Sequence, residues 1–326
     1  MPLKTIVLLL ALTIVAAAQF AQAQSTQRSD KWPDKPVRVI VPFAPGGAGD
    51  IIARIVSTRL AEAFGQTFIV DNRAGAGGSI GAELMVRSNP DGYTLMVGAS
   101  SYSANAAFYK LSWDAINGIS PVTLITRGPF VLVVNPSTKA ANLKEFIELL
   151  RAKPGALTFG SSGTGTVPHL AGELLMQLSK TRMVHAPYKG DGPAIVDLLG
   201  GHIQVYFGGP IVVGQHINTG KLRALAVSTE QRVRILPDLP TVNEALPGYA
   251  VATWHGLWAP QGTPKEIVAR LNQAVGRILK TPEVQERLSA NGLESGHGTP
   301  QEFNRFIAQE IVKYTQVVKD GNIRSE

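Results

Sequence analysis

Cysteine is absent from all 326 residues, which excludes disulfides, thiolate metal sites, cysteine nucleophiles and a lipid-modified N-terminal cysteine. None of the six histidines stands in an H-E-x-x-H pattern, so a zinc site has no ligand set, and no metal is expected. After residue 24 no apolar run is long enough to span a bilayer. Charged residues make up only 17% of the chain and aromatics 7%. The Lys and Arg residues behind the net charge of +7 are scattered, with no basic run interleaved with aromatic side chains, which argues against a nucleic-acid partner. That charge reads as solvated surface, mildly attracting anionic solutes.

A targeting signal is present. Lys4 supplies a positive start, Ile6 to Ala18 an apolar core, and Ala21-Gln22-Ala23 a small-residue cleavage site. A core this short followed by such a site favours export and removal over a membrane anchor. Residues 1–23 are therefore expected to be a signal peptide cleaved after Ala23, with 24–36 a tether. An exported chain without disulfides relies on a large core, and this length allows one.

From Val37 onward, short apolar runs alternate with amphipathic stretches. Strands are expected at Val37–Val41, Phe68–Val70, Thr94–Val97, Val131–Val134, Leu157–Phe159, Ile203–Phe207 and Leu222–Val227. Helices are expected at Ile51–Phe64, Ser79–Ser88, Leu143–Ala152, His169–Leu178 and Pro193–Leu199. This is an α/β pattern, and the continuous apolar strands point to parallel sheets covered on both faces. Helix starts are written at Asn142 with Glu145, Thr263-Pro264 with Glu266, and Thr299-Pro300 with Glu302. Pro264 to Lys319 reads as mostly helical with no clear strand. Boundary signals at Arg127-Gly128-Pro129 and from Pro247 to Trp254 suggest two crossings between domains, hence a hinge. The expected division is 37–127 plus 255–326 for domain one and 128–254 for domain two.

Two strand, glycine-turn, helix segments carry the chemistry: Val37–Asp50 and Leu157–Leu175. Such turns leave N–H groups at a helix N-terminus, facing outward with the positive end of the dipole. In the first, Ile52 stands where a dinucleotide site needs its third glycine. In the second, Thr166 stands where a P-loop needs lysine, so no nucleotide cofactor is expected. Neither Ser161 nor Ser162 has glycines two positions to each side, as a nucleophile elbow requires. His169, on the first turn of the following helix, is expected to point a ring nitrogen into the cradle as a donor. What remains is binding: N–H groups of Gly46, Gly47 and Ala48 face those of Gly163 to Thr166 with the hydroxyls of Ser162, Thr164 and Thr166. With no lysine or arginine in either turn, a carboxylate fits better than a phosphate. The alternative is that both turns are merely tight strand-to-helix connections.

Pro42–Asp50 (PFAPGGAGD), Asp71–Gly98, Ser120–Ile125, Gly163–Leu175, Pro187–Gly201, Gly220–Ser228, Leu236–Ala245 and Trp254–Pro264 together resemble the Bug family of extracytoplasmic solute receptors. Those are the substrate-binding proteins of tripartite tricarboxylate transporters, and the resemblance covers nearly the whole chain after the signal. It implies a periplasmic, type II periplasmic binding protein fold, two α/β domains with a ligand cleft and two crossover segments. It also implies a small amino, keto, di- or tricarboxylic acid as solute and integral membrane permease subunits as partners; a monomer is the expectation for a diffusing receptor, and the residues of the two turns are read as binding without catalysis. Carried over position by position, the ligand-binding residues are Phe43, Ala44, Pro45, Gly46 and Gly47, then Ser100 and Ser101. Domain two contributes Ser162, Gly163, Thr164, Thr166 and His169, with Gly190 and Asp191 at the mouth. The chain departs from the family pattern after Tyr206-Phe207, where Gly208-Gly209-Pro210 replaces an acidic residue, and in the serine- and alanine-rich segment Ser100 to Ala107. A receptor that signals to a membrane partner, or a secreted serine hydrolase using Ser162 and His169, are the rival readings.

Overall fold

The computed structural model describes residues 32–320 and Ile323; the expected signal peptide and the first part of the tether lie outside the described residues. The chain begins with β1 (Val37–Val41), α1 (Ala48–Phe64), β2 (Phe68–Asn72), α2 (Ser79–Val86), β3 (Thr94–Ala99), α3 (Ser101–Phe108) and β4 (Ile119–Pro129). It continues through β5 (Val131–Val134), α4 (Leu143–Ala152), β6 (Thr158–Ser161), α5 (Val167–Ser179), β7 (Val184–Pro187), α6 (Asp191–Gly200), β8 (Val205–Gly208), α7 (Pro210–Asn218), β9 (Arg223–Val227) and α8 (Val242–Ala245). It returns through β10 (Ala252–Pro260), α9 (Lys265–Leu279), α10 (Pro282–Ser289), β11 (Glu294–Ser295) and α11 (Pro300–Asp320).

The strands form two sheets, a six-stranded one ordered β11-β4-β10-β3-β1-β2 and a five-stranded one ordered β7-β6-β8-β5-β9. Around β1 and β6 the neighbours run parallel, which places α1 and α5 after their strands as crossover helices. The sheets are nevertheless mixed: β10 runs antiparallel to β3 and β4, and β5 antiparallel to β8 and β9. The expectation of parallel sheets is corrected here. β4 carries the chain out of the first sheet and β10 carries it back alongside, so the two must run in opposite directions. Neither was expected as a strand, because the glycines and prolines that punctuate them read as boundaries. Gly256 within β10 has a packing reason, since a Cβ there would fall 2.1 Å from the Phe303 ring of α11.

Alternation sorts each strand's side chains to two faces. In the first sheet Val39, Val41, Leu95, Val97 and Leu257 pack with α1 and α9, while Ile40, Met96, Trp254 and Trp258 pack with Phe303 and Ile307 of α11. In the second, Leu132, Val134, Phe159 and Phe207 pack with α4 and α5, and Val133 and Tyr206 with α6 and α7. α11 reaches both sheets, for its Tyr314 lies in the core of the second. Within the expected tether, Trp32 is buried in the first core with its ring 5.3 Å from Phe64.

The caps follow the sequence in two of three places. The Asn142 side chain accepts from the Glu145 N–H at 2.9 Å and Thr299 Oγ1 accepts from the Glu302 N–H at 3.2 Å. Thr263 instead donates its hydroxyl to the Pro260 carbonyl at 2.8 Å; with Pro264 itself at the cap position, it caps no helix. Asn142→Ala is expected to lower stability by about 1 kcal/mol, read as a shift in the denaturant midpoint at constant slope.

Candidate functional site

β1 ends in a turn whose glycines deliver α1 with its N-terminus toward the second sheet. Across that gap, α6 and the turn before it press directly on the α1 turn. The Ala44 N–H donates to the Lys189 carbonyl at 2.9 Å, and a Cβ on Gly190 would fall 3.0 Å from Ala44 N. The Ala48 N–H, first in α1, donates to Asp191 Oδ2 at 3.1 Å. Tyr206 donates its hydroxyl to Asp191 Oδ1 at 2.6 Å, and Ser162 hydrogen-bonds that same hydroxyl. Burial raises the Asp191 carboxyl above the ordinary aspartate value, against the lowering by Tyr206 and the Ala48 N–H.

Asp50, three residues into α1, is held differently. Its carboxylate accepts from the Gly46 N–H and from Asn72 Nδ2, both at 3.1 Å, and lies 3.0 Å from Arg54. Burial alone would raise its pKa, but the hydrogen bonds from Arg54, Gly46 and Asn72 hold it below the usual carboxylate value. Asn72 also donates to the Phe43 carbonyl at 3.0 Å, fixing the turn. The Phe43 ring fills the space beside Gly78, where a Cβ would meet it at 3.0 Å.

The second turn, between β6 and α5, uses its N–H groups mostly on itself. Gly163 N–H donates to Ser161 Oγ at 3.1 Å, Gly165 N–H to His169 Nδ1 at 3.2 Å, and Thr166 gives its hydroxyl to the Gly163 carbonyl at 2.6 Å. His169 therefore accepts where the sequence reading expects a donor. With Nδ1 accepting, Nε2 carries the proton and faces Glu173 at 3.6 Å. The His169 ring stacks on His185 at 4.1 Å and meets the Phe108 ring of α3 edge-on at 5.9 Å. The serine that meets a histidine is Ser161, wholly buried, 2.7 Å from His185 Nε2, and not Ser162 with His169. Burial, then the neighbouring His169, pushes His185 down to about 3, so the ring is neutral at physiological pH.

Two more contacts join the halves. Val167 N–H, first in α5, donates to Ser101 Oγ at 3.3 Å, and Tyr109 donates its hydroxyl to the Thr164 carbonyl at 3.1 Å. Ser100 is turned away: its N–H donates to the Trp254 carbonyl at 2.8 Å. The structure thus brings Phe43, Ala44, Pro45, Gly46, Gly47, Ser101, Ser162, Gly163, Thr164, Gly190 and Asp191 to one seam, whereas Ser100 bonds into the first sheet, and Thr166 and His169 use their polar atoms on their own turn while the His169 ring meets Phe108. Asp191, expected at the mouth, is the residue that spans the seam.

Sequence reasoning missed the turn Gly75–Ser79 together with Asn105 and Tyr109. Gly77 has φ +61°, and a Cβ there would fall 2.6 Å from the Thr164 carbonyl oxygen across the seam. Asn105 donates Nδ2 to the Gly77 carbonyl at 2.6 Å, which shapes that turn from behind. The glycine cluster in Asn72–Gly81 was the available signal. Next to it lies a cavity of about 10 Å³, bounded by Phe43, Gly78, Tyr102 and Asn105, room for about one water molecule. A wider groove of about 530 Å³ between α9 and α11, lined by Lys265, Asn272 and Asn304 among others, shares no residue with the seam.

The description of the tripartite tricarboxylate transporter family receptor matches residues 52–323. Three solved structures are similar over nearly their whole lengths. The periplasmic binding protein BugD is 31% identical, covering 90% of this chain and 100% of that one, with a TM-score of 0.87. The R. palustris protein Rpa4515 with adipate is 35% identical, covering 90% and 99%, with a TM-score of 0.87. MatC from Rhodopseudomonas palustris with bound malate is 33% identical, covering 88% and 100%, with a TM-score of 0.84.

Proposed function

This chain belongs to the tripartite tricarboxylate transporter receptor family, and we propose that its solute is a small dicarboxylate captured at the seam between two lobes. The observation that carries this reading is the meeting of two glycine-turn helix termini, α1 from one sheet and α5 from the other, with hydrogen bonds crossing between them. A carboxylate placed among such N–H groups gains charge-assisted hydrogen bonds of roughly 1.5–3 kcal/mol each, which offsets its desolvation without a cationic side chain. The ligands of two relatives, adipate and malate, support the dicarboxylate class. Phe43 to Gly47, Ser101 and Ser162 to Thr164 are the residues in reach, and none is assigned a catalytic role.

The lobes divide as 37–127 plus 255–326 and 128–254, hinged where β4 leaves and β10 returns. Capture works by population shift: only the closed form offers a solute both lobes, so binding favours closure. The closed receptor then presents its solute to integral membrane permease subunits from the periplasm, after cleavage of the signal peptide behind Ala23. Titration calorimetry with dicarboxylates and their diamides tests the reading. A dicarboxylate is expected to bind at least about tenfold more tightly than its diamide, a difference of about 1.4 kcal/mol. Equal affinities would remove the anion cradle. Mass spectrometry of the denatured, freshly purified protein identifies any acid carried along.

A further inference from the structure

The α1 terminus already holds an anion, and it is the protein's own. Asp191, carried by α6 of the opposite lobe, lies with Oδ2 3.1 Å from the Ala48 N–H and Oδ1 2.6 Å from the Tyr206 hydroxyl. A Cβ on Gly47 would fall 3.1 Å from the same Oδ2, so the carboxylate rests against the residue that caps α1. No cationic side chain pairs with it among the described residues, whereas Asp50 in the same turn is paired with Arg54. A helix terminus offers about half a positive charge. A second carboxylate brought to the neighbouring Gly47 or Gly49 N–H would stand beside Asp191 in a partly desolvated seam with no cation between them, which raises the energy of both anions.

We propose that Asp191 is a self-ligand: its carboxylate occupies the α1 terminus in the solute-free receptor, holds the lobes shut, and is displaced by the incoming solute carboxylate. This rests on the reading of the α1 turn as the solute's anion cradle. Displacement requires the lobes to part, and they then close again on the solute with the Asp191 side chain turned off the α1 terminus. Tyr206 is a positioning residue, fixing the direction in which the carboxylate points.

The absence of cysteine makes the test direct. Ile69→Cys on β2 and Val196→Cys on α6, both exposed, take one spin label on each lobe, and the interlobe distance is measured by pulsed electron resonance without solute. In that background Asp191→Asn keeps the shape and removes the charge, and Tyr206→Phe removes the orienting hydroxyl. The expected result is a longer and broader distance distribution for Asp191→Asn, a smaller change for Tyr206→Phe, and malate or adipate bound about fivefold or more tightly by Asp191→Asn, as the self-closed fraction is released. An unchanged distance overturns the proposal. So does a longer distance with unchanged or weaker binding, which makes Asp191 a latch that works together with the solute. If wild type binds neither dicarboxylate, the dicarboxylate reading fails, and the distance measurement still decides whether Asp191 closes the lobes.

Discussion

Gly192→Ala is expected to weaken solute capture at least about a hundredfold, about 2.8 kcal/mol, while leaving the protein folded. A Cβ at residue 192 would fall 2.4 Å from the Pro45 carbonyl oxygen. That oxygen belongs to the backbone of the other lobe and cannot rotate aside. Gly192 lies within α6 and has no positive φ, so alanine costs no strain there and helix propensity favours it by up to about 1 kcal/mol. The clash exists only when the lobes meet. Thermal unfolding is therefore expected to be unchanged or slightly higher, the interlobe distance longer, and the affinity low. Asp191→Asn opens the receptor by releasing it; Gly192→Ala opens it by obstruction, and the two shift affinity in opposite directions. Wild-type affinity in Gly192→Ala would mean that this seam does not close on solute.

Acid is expected to destabilise the fold above the range in which carboxylates titrate. Burial pushes His255 down to about 4 and, with the help of His169, His185 down to about 3, against an unfolded value near 6.5. Above pH 6.5 both states hold these rings neutral. Below it the unfolded chain takes up protons that the folded chain refuses, so stability falls by at most about 1.4 kcal/mol per pH unit for each ring. His255 is fully buried, its Nδ1 2.9 Å from Thr126 Oγ1, and carries the larger share; His185 is partly exposed and carries less. Between pH 7 and pH 4.5 the melting temperature is expected to fall by roughly 5–10 °C. His255→Gln, which does not titrate, should flatten that slope by more than half. The same slope in the variant would place the acid sensitivity elsewhere. Asp50 and Asp71, held below their usual values, add to the loss only at lower pH.

How much of the site could be read in advance follows from the range of the interactions. The α1 turn was legible because a strand, a glycine turn and a helix start are contiguous, and contiguity alone aims the N–H groups. Cap residues such as Asn142 were legible for the same reason. The strands β4 and β10 were not, since their glycines and prolines signal breaks locally and only the neighbouring strand and α11 make them strands. His169 was placed correctly on α5 but given the wrong hydrogen-bonding role, because the Gly165 N–H that it accepts is presented only once the turn has folded. The Gly75–Ser79 turn was quoted as a motif yet given no place in the site, for its importance lies in the Thr164 carbonyl that it meets across the seam.

By itself the sequence determined the α/β class, the lack of cysteine chemistry, and the two anion-attracting helix termini. Each depends on residues adjacent in the chain, or on residue types that are missing altogether. Only the tertiary structure decided what stands at the first of those termini. A helix N-terminus attracts any carboxylate within reach, and which one reaches it depends on how a lobe 143 residues further along the chain is carried against it. That carboxylate is Asp191.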